Sequence, residues 1–171
     1  MEHGETGKFF QTASAGQERR KRPLTVEENR HSIIIRTDQP ALLRKEIICW
    51  GEAEWWPKGS LMAFKRLSSG EVAVGTLYMQ KVLLPLAPRW RVEVSEVTNG
   101  GISRRFLDGM FKGFEQVNFQ RVAGGWRVEY AMHYEVCGSL NRFLWFLVFR
   151  RLHDRNIKEI LGNLKIFMET Q

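Results

Sequence analysis

Few cysteines, no metal-ligand clusters and no long apolar run mark this 171-residue chain. Its only two cysteines, Cys49 and Cys137, lie far apart and form no CxxC pair. That excludes a disulfide-stapled scaffold and a thiolate zinc knuckle. A single bridge between them stays open; the expectation is two free, buried thiols in a reducing, cytoplasmic setting. His3, His31, His133 and His153 show no metal-ligand spacing, so no metal is expected, and nothing calls for a cofactor. No basic start leads into an apolar stretch, so no signal peptide is expected. The longest apolar run, Phe143 to Phe149, has seven residues against the roughly 20 that a spanning helix requires, and no transmembrane segment is expected. No serine sits in a GxSxG elbow, and the glycine-rich stretches are turns with no phosphate-binding helix after them.

What is present is aromatic and basic. Six tryptophans and eleven phenylalanines accompany a net charge of +7. One domain of this length, with 43% apolar residues, buries a full core. The basic balance fits an ordinary solvated surface, or contact with nucleic acid or an acidic membrane.

The stretch from Gly124 to Met168 organises the rest. Trp126, Val128, Tyr130, Met132, Tyr134 and Val136 alternate with Arg127, Glu129, Ala131, His133 and Glu135. Period-two alternation of this kind predicts a long strand with one buried and one wet face. Gly124-Gly125 is a hairpin signal before it, and Ser139 is placed to cap a helix after it. From Leu140 to about Thr170 there is no proline and only Gly162, which predicts one helix roughly 45 Å long. Its first half, Leu140 to Leu152, is apolar nearly all round, so burial or a cavity-facing position is expected for it. Its second half carries Ile157, Ile160, Leu161, Leu164, Phe167 and Met168 at amphipathic spacing.

Residues 1–30 lack periodicity and contain Arg19, Arg20, Lys21 and Arg22. They are expected to form a flexible basic tail, whose basic run could touch RNA or an anionic membrane. The domain is expected over 31–171. A strand at His31–Arg36 leads to a helix from Pro40 to about Trp50, with Asp38 as its cap. A second short helix is expected at Glu52–Trp56. A meander comes next, with strands at Leu61–Leu67, Val72–Val82, Trp90–Val97, Ile102–Leu107 and Phe114–Val122. Between the second and third lies the apolar loop Leu83–Pro88. The expected class is α+β: a curved antiparallel sheet of about seven strands wrapped around a long C-terminal helix.

Several stretches in this order resemble one fold family. They are His31-Ser-Ile-Ile-Ile with Gln39-Pro40, Glu54-Trp55-Trp56-Pro57, Val74-Gly75-Thr76, Phe106-Leu107-Asp108 with Lys112-Gly113-Phe114, and Gly124-Gly125-Trp126-Arg127-Val128 with Tyr134. The pattern resembles the helix-grip fold of the START-like SRPBCC superfamily. That group holds polyketide cyclases and aromatases, lipid-transfer domains, ubiquinone-binding proteins and plant ligand carriers. The resemblance covers roughly His31 to Met168. It implies an apolar cavity between sheet and terminal helix and a hydrophobic small-molecule ligand. It implies no reaction, because carriers and enzymes share the scaffold.

Strand phase nominates the residues facing that interior. They are Trp126, Tyr130, Met132 and Tyr134 on the long strand, Trp90, Val92 and Val94 sharing the same inward face, and Phe106 and Phe119 from neighbouring strands. Trp55 and Trp56 stand at the sheet opening, and Phe143, Leu144 and Leu147 lie on the helix. Each is compatible with plain core filling; together they exceed what such a core needs, which favours a cavity. Tyr130, Tyr134 and Arg104 are the only candidates for catalysis. Arg104 is expected inward, with Asp108 as an in-phase ion-pair partner. Glu115 shares the phase of Val117 and Phe119 but is expected in water at a strand end. His133 falls on the wet face, and His153 is expected to be solvated. The first reading is a non-enzymatic carrier or sensor of a lipid, isoprenoid or aromatic compound. The alternatives are a cyclase or aromatase, and an interaction module using the basic tail.

Overall fold

The computed structural model describes residues 26–84 and 87–171; the basic run Arg19–Arg22 and part of the loop Leu83–Pro88 lie outside them. Within these residues the chain forms β1 (Glu27–Ile35), α1 (Pro40–Ile48), β2 (Met62–Arg66), β3 (Leu77–Val82), β4 (Arg89–Thr98), β5 (Gly101–Phe106), β6 (Phe111–Val122) and β7 (Gly125–Val136). A helix in three parts ends the chain: α2 (Ser139–Leu144), a π-helical turn (Trp145–Phe149) and α3 (Arg150–Glu169). The fold is the expected α+β helix-grip. All seven strands join one sheet in the order β1-β7-β6-β5-β4-β3-β2, and every neighbouring pair is antiparallel. Short connections impose the sequential pairing of β3 to β7, the longer connection 67–76 places β2 beside β3, and β7 pairs its other edge with β1.

Alternation sets the inner face as expected. Val128, Tyr130, Met132, Tyr134 and Val136 of β7 are buried, as are Trp90, Val92 and Val94 of β4. The buried stripe of α3, from Ile157 through Leu164 to Met168, closes over them. α1 contributes Leu43 and Ile47, and Trp50 follows it into the core.

Several local expectations are corrected. β1 starts at Glu27, so Glu27–Arg30 belong to the sheet: the pairing of Glu27 with Tyr134 and of Arg30 with Ala131 extends the ladder through polar residues. Gln39, not Asp38, precedes the first turn of α1, and no side chain caps it. Residues 52–56 form turns rather than a second helix. β3 begins at Leu77 rather than Val72, because residues 72–76 form a turn in which Ala73 N–H donates to Thr76 Oγ1 at 2.9 Å. Gly138 rather than Ser139 precedes α2. Cys49 and Cys137 are free, and both are half-buried rather than buried.

The turn between β6 and β7 is Ala123-Gly124, with Gly124 at φ +86°. Gly125, at φ +148°, opens β7 where β1 passes closely: a Cβ there would stand 2.3 Å from the carbonyl oxygen of Ile35. Gly125→Ala therefore forces β1 and β7 apart. A loss of about 2 kcal/mol or more is expected in denaturant unfolding; a midpoint equal to wild type would contradict this packing.

Candidate functional site

Inward positions on the neighbouring strands β3 to β7 carry polar groups, and register brings them together. Arg104 on β5 is directly opposite Glu115 on β6, and Gln80 on β3 is opposite Trp90 on β4. Arg104 and Glu115 are 1% and 2% exposed. Arg104 Nη1 donates to Glu115 Oε1 at 3.3 Å and its Nη2 to the Trp50 carbonyl at 2.9 Å. Its guanidinium also lies 5.2 Å from the Tyr78 ring centre and 5.6 Å from that of Phe64. Gln80 Nε2 donates to the same Glu115 oxygen at 2.5 Å, and Trp90 Nε1 donates to Gln80 Oε1 at 2.6 Å. The Tyr130 hydroxyl donates to Glu115 Oε2 at 3.1 Å and lies 3.3 Å from His153 Nε2. With the phenol O–H directed at Glu115, the phenol oxygen is left to accept from His153 Nε2–H.

The chain of contacts continues to the surface. His153 Nδ1 is 3.8 Å from Asp154 Oδ1. The same carboxylate oxygen accepts from Asn29 Nδ2 at 2.5 Å and lies 3.2 Å from His31 Nε2. A polar track thus runs from the centre of the sheet to the helix rim. Burial and the adjacent Glu115 carboxylate push Tyr130 well above the ordinary tyrosine range, so it stays a neutral donor. Burial also raises Tyr134, whose oxygen accepts from Trp145 Nε1 at 3.0 Å.

Around this track the interior is filled by rings. Phe111 lies 4.8 Å from Trp145, 5.2 Å from Trp90 and 5.5 Å from Phe106, centre to centre. Trp50 meets Trp55, Trp56 and Tyr130 within 6.3 Å. The aromatic excess therefore packs the grip rather than lining an open chamber. Among the described residues an apolar pocket of about 20 Å³ lies between Leu61, Met62, Val82, Trp90, Trp145, Phe149 and Leu152, with His153 and Asn156 as its polar groups.

Of the nominated residues, Trp90 alone lines this pocket. Tyr130, Met132, Tyr134, Phe106 and Trp55 are buried in the surrounding core, while Trp56, Phe119 and Trp126 pack at its margin. Phe143 and Leu147 are corrected: they are 62% and 56% exposed and face away from the sheet. The sheet covers only one side of the helix there, and Trp145 is the residue that turns inward. Arg104 is inward as expected, but its partner is Glu115. Asp108 instead pairs with Arg91 at 2.6 Å. Glu115 and His153, expected in water, are both buried. His133 lies on the outer face, stacked on Phe114 at 4.7 Å.

The rim of the track makes stability depend on pH. Burial lowers His31 below the ordinary histidine value, so the folded state prefers its neutral form. That contribution is complete above about pH 6.5 and is lost as pH falls through the lowered value. The nearby His153 ring and hydrogen bonds from Asn29 and His31 hold Asp154 well below the usual carboxylate range. Its contribution is complete above about pH 4 and is lost at lower pH. Thermal melts should show a fall starting near pH 6.5 and a second below about pH 4. In Asp154→Asn the second fall should shrink; an unchanged acid limb would refute the assignment.

The comparisons with known proteins agree with this architecture. No protein-family model matches the chain, and no curated protein matches it in sequence. Solved structures do match in fold. KanY, determined in solution, is 15% identical over 84% of this chain and 98% of its own, with a TM-score of 0.63. TTHA0849 from Thermus thermophilus is 16% identical over 84% and 98%, with a TM-score of 0.62. A START superfamily protein from Mycobacterium smegmatis is 10% identical over 84% and 97%, with a TM-score of 0.58. The chain shares with them the helix-grip fold. Among the described residues no helix is long and apolar enough to cross a membrane.

Proposed function

We propose that this protein binds an apolar small molecule with one hydrogen-bonding group, held between β2–β4 and the C-terminal helix. One observation supports this above the rest: His153, at the wall of an apolar pocket, connects directly to the buried Tyr130–Glu115–Arg104 cluster. An apolar wall with one polar anchor is the usual composition of a small-molecule site. The helix-grip fold supports it too, as the scaffold of START-like carriers. A ligand must displace wall side chains, and Leu61, Val82, Phe149 and Leu152 are the half-buried ones able to yield. Tyr130 stays outside direct contact and fixes the His153 ring.

The test uses the amphipathic fluorophore anilinonaphthalenesulfonate, whose rings seek apolar pockets, on the full chain. Leu61→Trp fills the mouth and should weaken binding by at least about tenfold, while Phe143→Ser with Leu147→Ser, on the outer face, should leave the pocket component intact. Fluorophore binding lost only in the outer-face variant would refute the pocket.

The phenol held between a carboxylate and an imidazole favours a second reading, proton transfer of the cyclase or aromatase kind. Tyr130→Phe separates the two. A carrier keeps its affinity, and an enzyme loses turnover while still binding.

A further inference from the structure

The first third of the C-terminal helix carries a feature that interior binding does not use. Leu140, Phe143 and Leu147 are 68%, 62% and 56% exposed, and Phe146 is 43% exposed. Exposed apolar residues scattered singly need no explanation, but a contiguous set does. These four form one face, and Phe143, Phe146 and Leu147 border a shallow surface hollow with Ser139 and Arg142. A π-helical turn adjoins the face: Arg150 N–H bonds back to the Trp145 carbonyl, which widens one turn. Trp145 points inward there while Phe146 and Leu147 stay outward.

The charges that the helix itself carries along this face are of one sign. Residues 139–153 contain Arg142, Arg150 and Arg151 and no acidic residue. Arg150 lies 5.8 Å from the Phe146 ring centre and shares Glu27 at 3.5 Å. Four more basic residues, Arg19, Arg20, Lys21 and Arg22, precede Glu27 closely in the chain.

We propose that this face docks on an anionic lipid surface. Leu140, Phe143, Phe146 and Leu147 enter the acyl boundary, and Arg142 and Arg151 stay at the headgroup phosphates. An in-plane helix with an apolar face and arginine flanks has the composition such surfaces select. A second copy of the chain fits less well. A two-fold contact sets the same patch against itself and would oppose the arginines to one another. Docking here is independent of what fills the interior pocket.

Co-sedimentation of the full chain with vesicles tests it. Vesicles of phosphatidylcholine with about one third phosphatidylserine should bind the protein, more weakly as salt rises, and phosphatidylcholine alone should bind less. Phe143→Ser with Leu147→Ser should lower partitioning by about a hundredfold or more without moving the thermal midpoint. Arg142→Gln and Arg151→Gln should lower it about fivefold each. Failure of the wild-type chain to bind, or equal binding by the serine variant, overturns the proposal. So does a dimer in solution that protects Phe143 and shows no vesicle binding.

Discussion

Arg104→Ala is expected to destabilise the protein by about 3–5 kcal/mol, because it leaves a buried carboxylate without its charge partner. Glu115 is 2% exposed, and its remaining partners are the neutral Gln80 amide and Tyr130 phenol. The variant also opens a gap between the Tyr78 and Phe64 rings and removes a donor from the Trp50 carbonyl. Glu115→Gln keeps the shape and should cost less than Arg104→Ala. The double variant Arg104→Met with Glu115→Leu should lose far less than the summed single losses, since replacing a whole buried pair with apolar residues is often near neutral. Denaturant midpoints with an unchanged slope measure all of these. Additive losses would mean that the two side chains do not act as a pair.

Trp145→Ala is expected to cost about 3–5 kcal/mol and to enlarge the pocket at the same time. The ring touches Phe111, Tyr134 and His153 at 4.8, 5.3 and 5.7 Å, and its N–H satisfies the Tyr134 hydroxyl. Its removal leaves an apolar cavity beside His153. Such a cavity accepts a ring of the lost size, so indole should raise the melting temperature of this variant and not of wild type. The shift should grow with indole concentration by mass action. A Trp145→Ala protein as stable as wild type would place the ring outside the core.

Much of the fold was legible, and the reasons are local. The strict alternation over Trp126–Val136 placed Tyr130, Met132 and Tyr134 inward, and the structure buries all three. The polar site was half legible. Arg104 and Glu115 were in phase with apolar neighbours, yet a carboxylate on an inward row reads as a strand end unless its cross-strand partner is known. That partner depends on register, which turn signals alone leave open by a residue. His153 carried a signal that its charged neighbours obscured: it stands four and seven residues before Ile157 and Ile160, on the same helical stripe. The outward side of the Phe143–Phe149 run was not legible. An all-round apolar segment shows no preferred face, and only the sheet, by covering the Trp145 side, defines one.

Native mass spectrometry of the freshly purified full chain, followed by solvent extraction and mass analysis, tests the central claim most directly. The expected result is an adduct of low mass that is apolar on extraction, is reduced by Leu61→Trp and is retained when Phe143 and Leu147 are changed to serine. A chain that flies without adduct, and that gains none on exposure to a lipid extract, would contradict ligand binding in the grip.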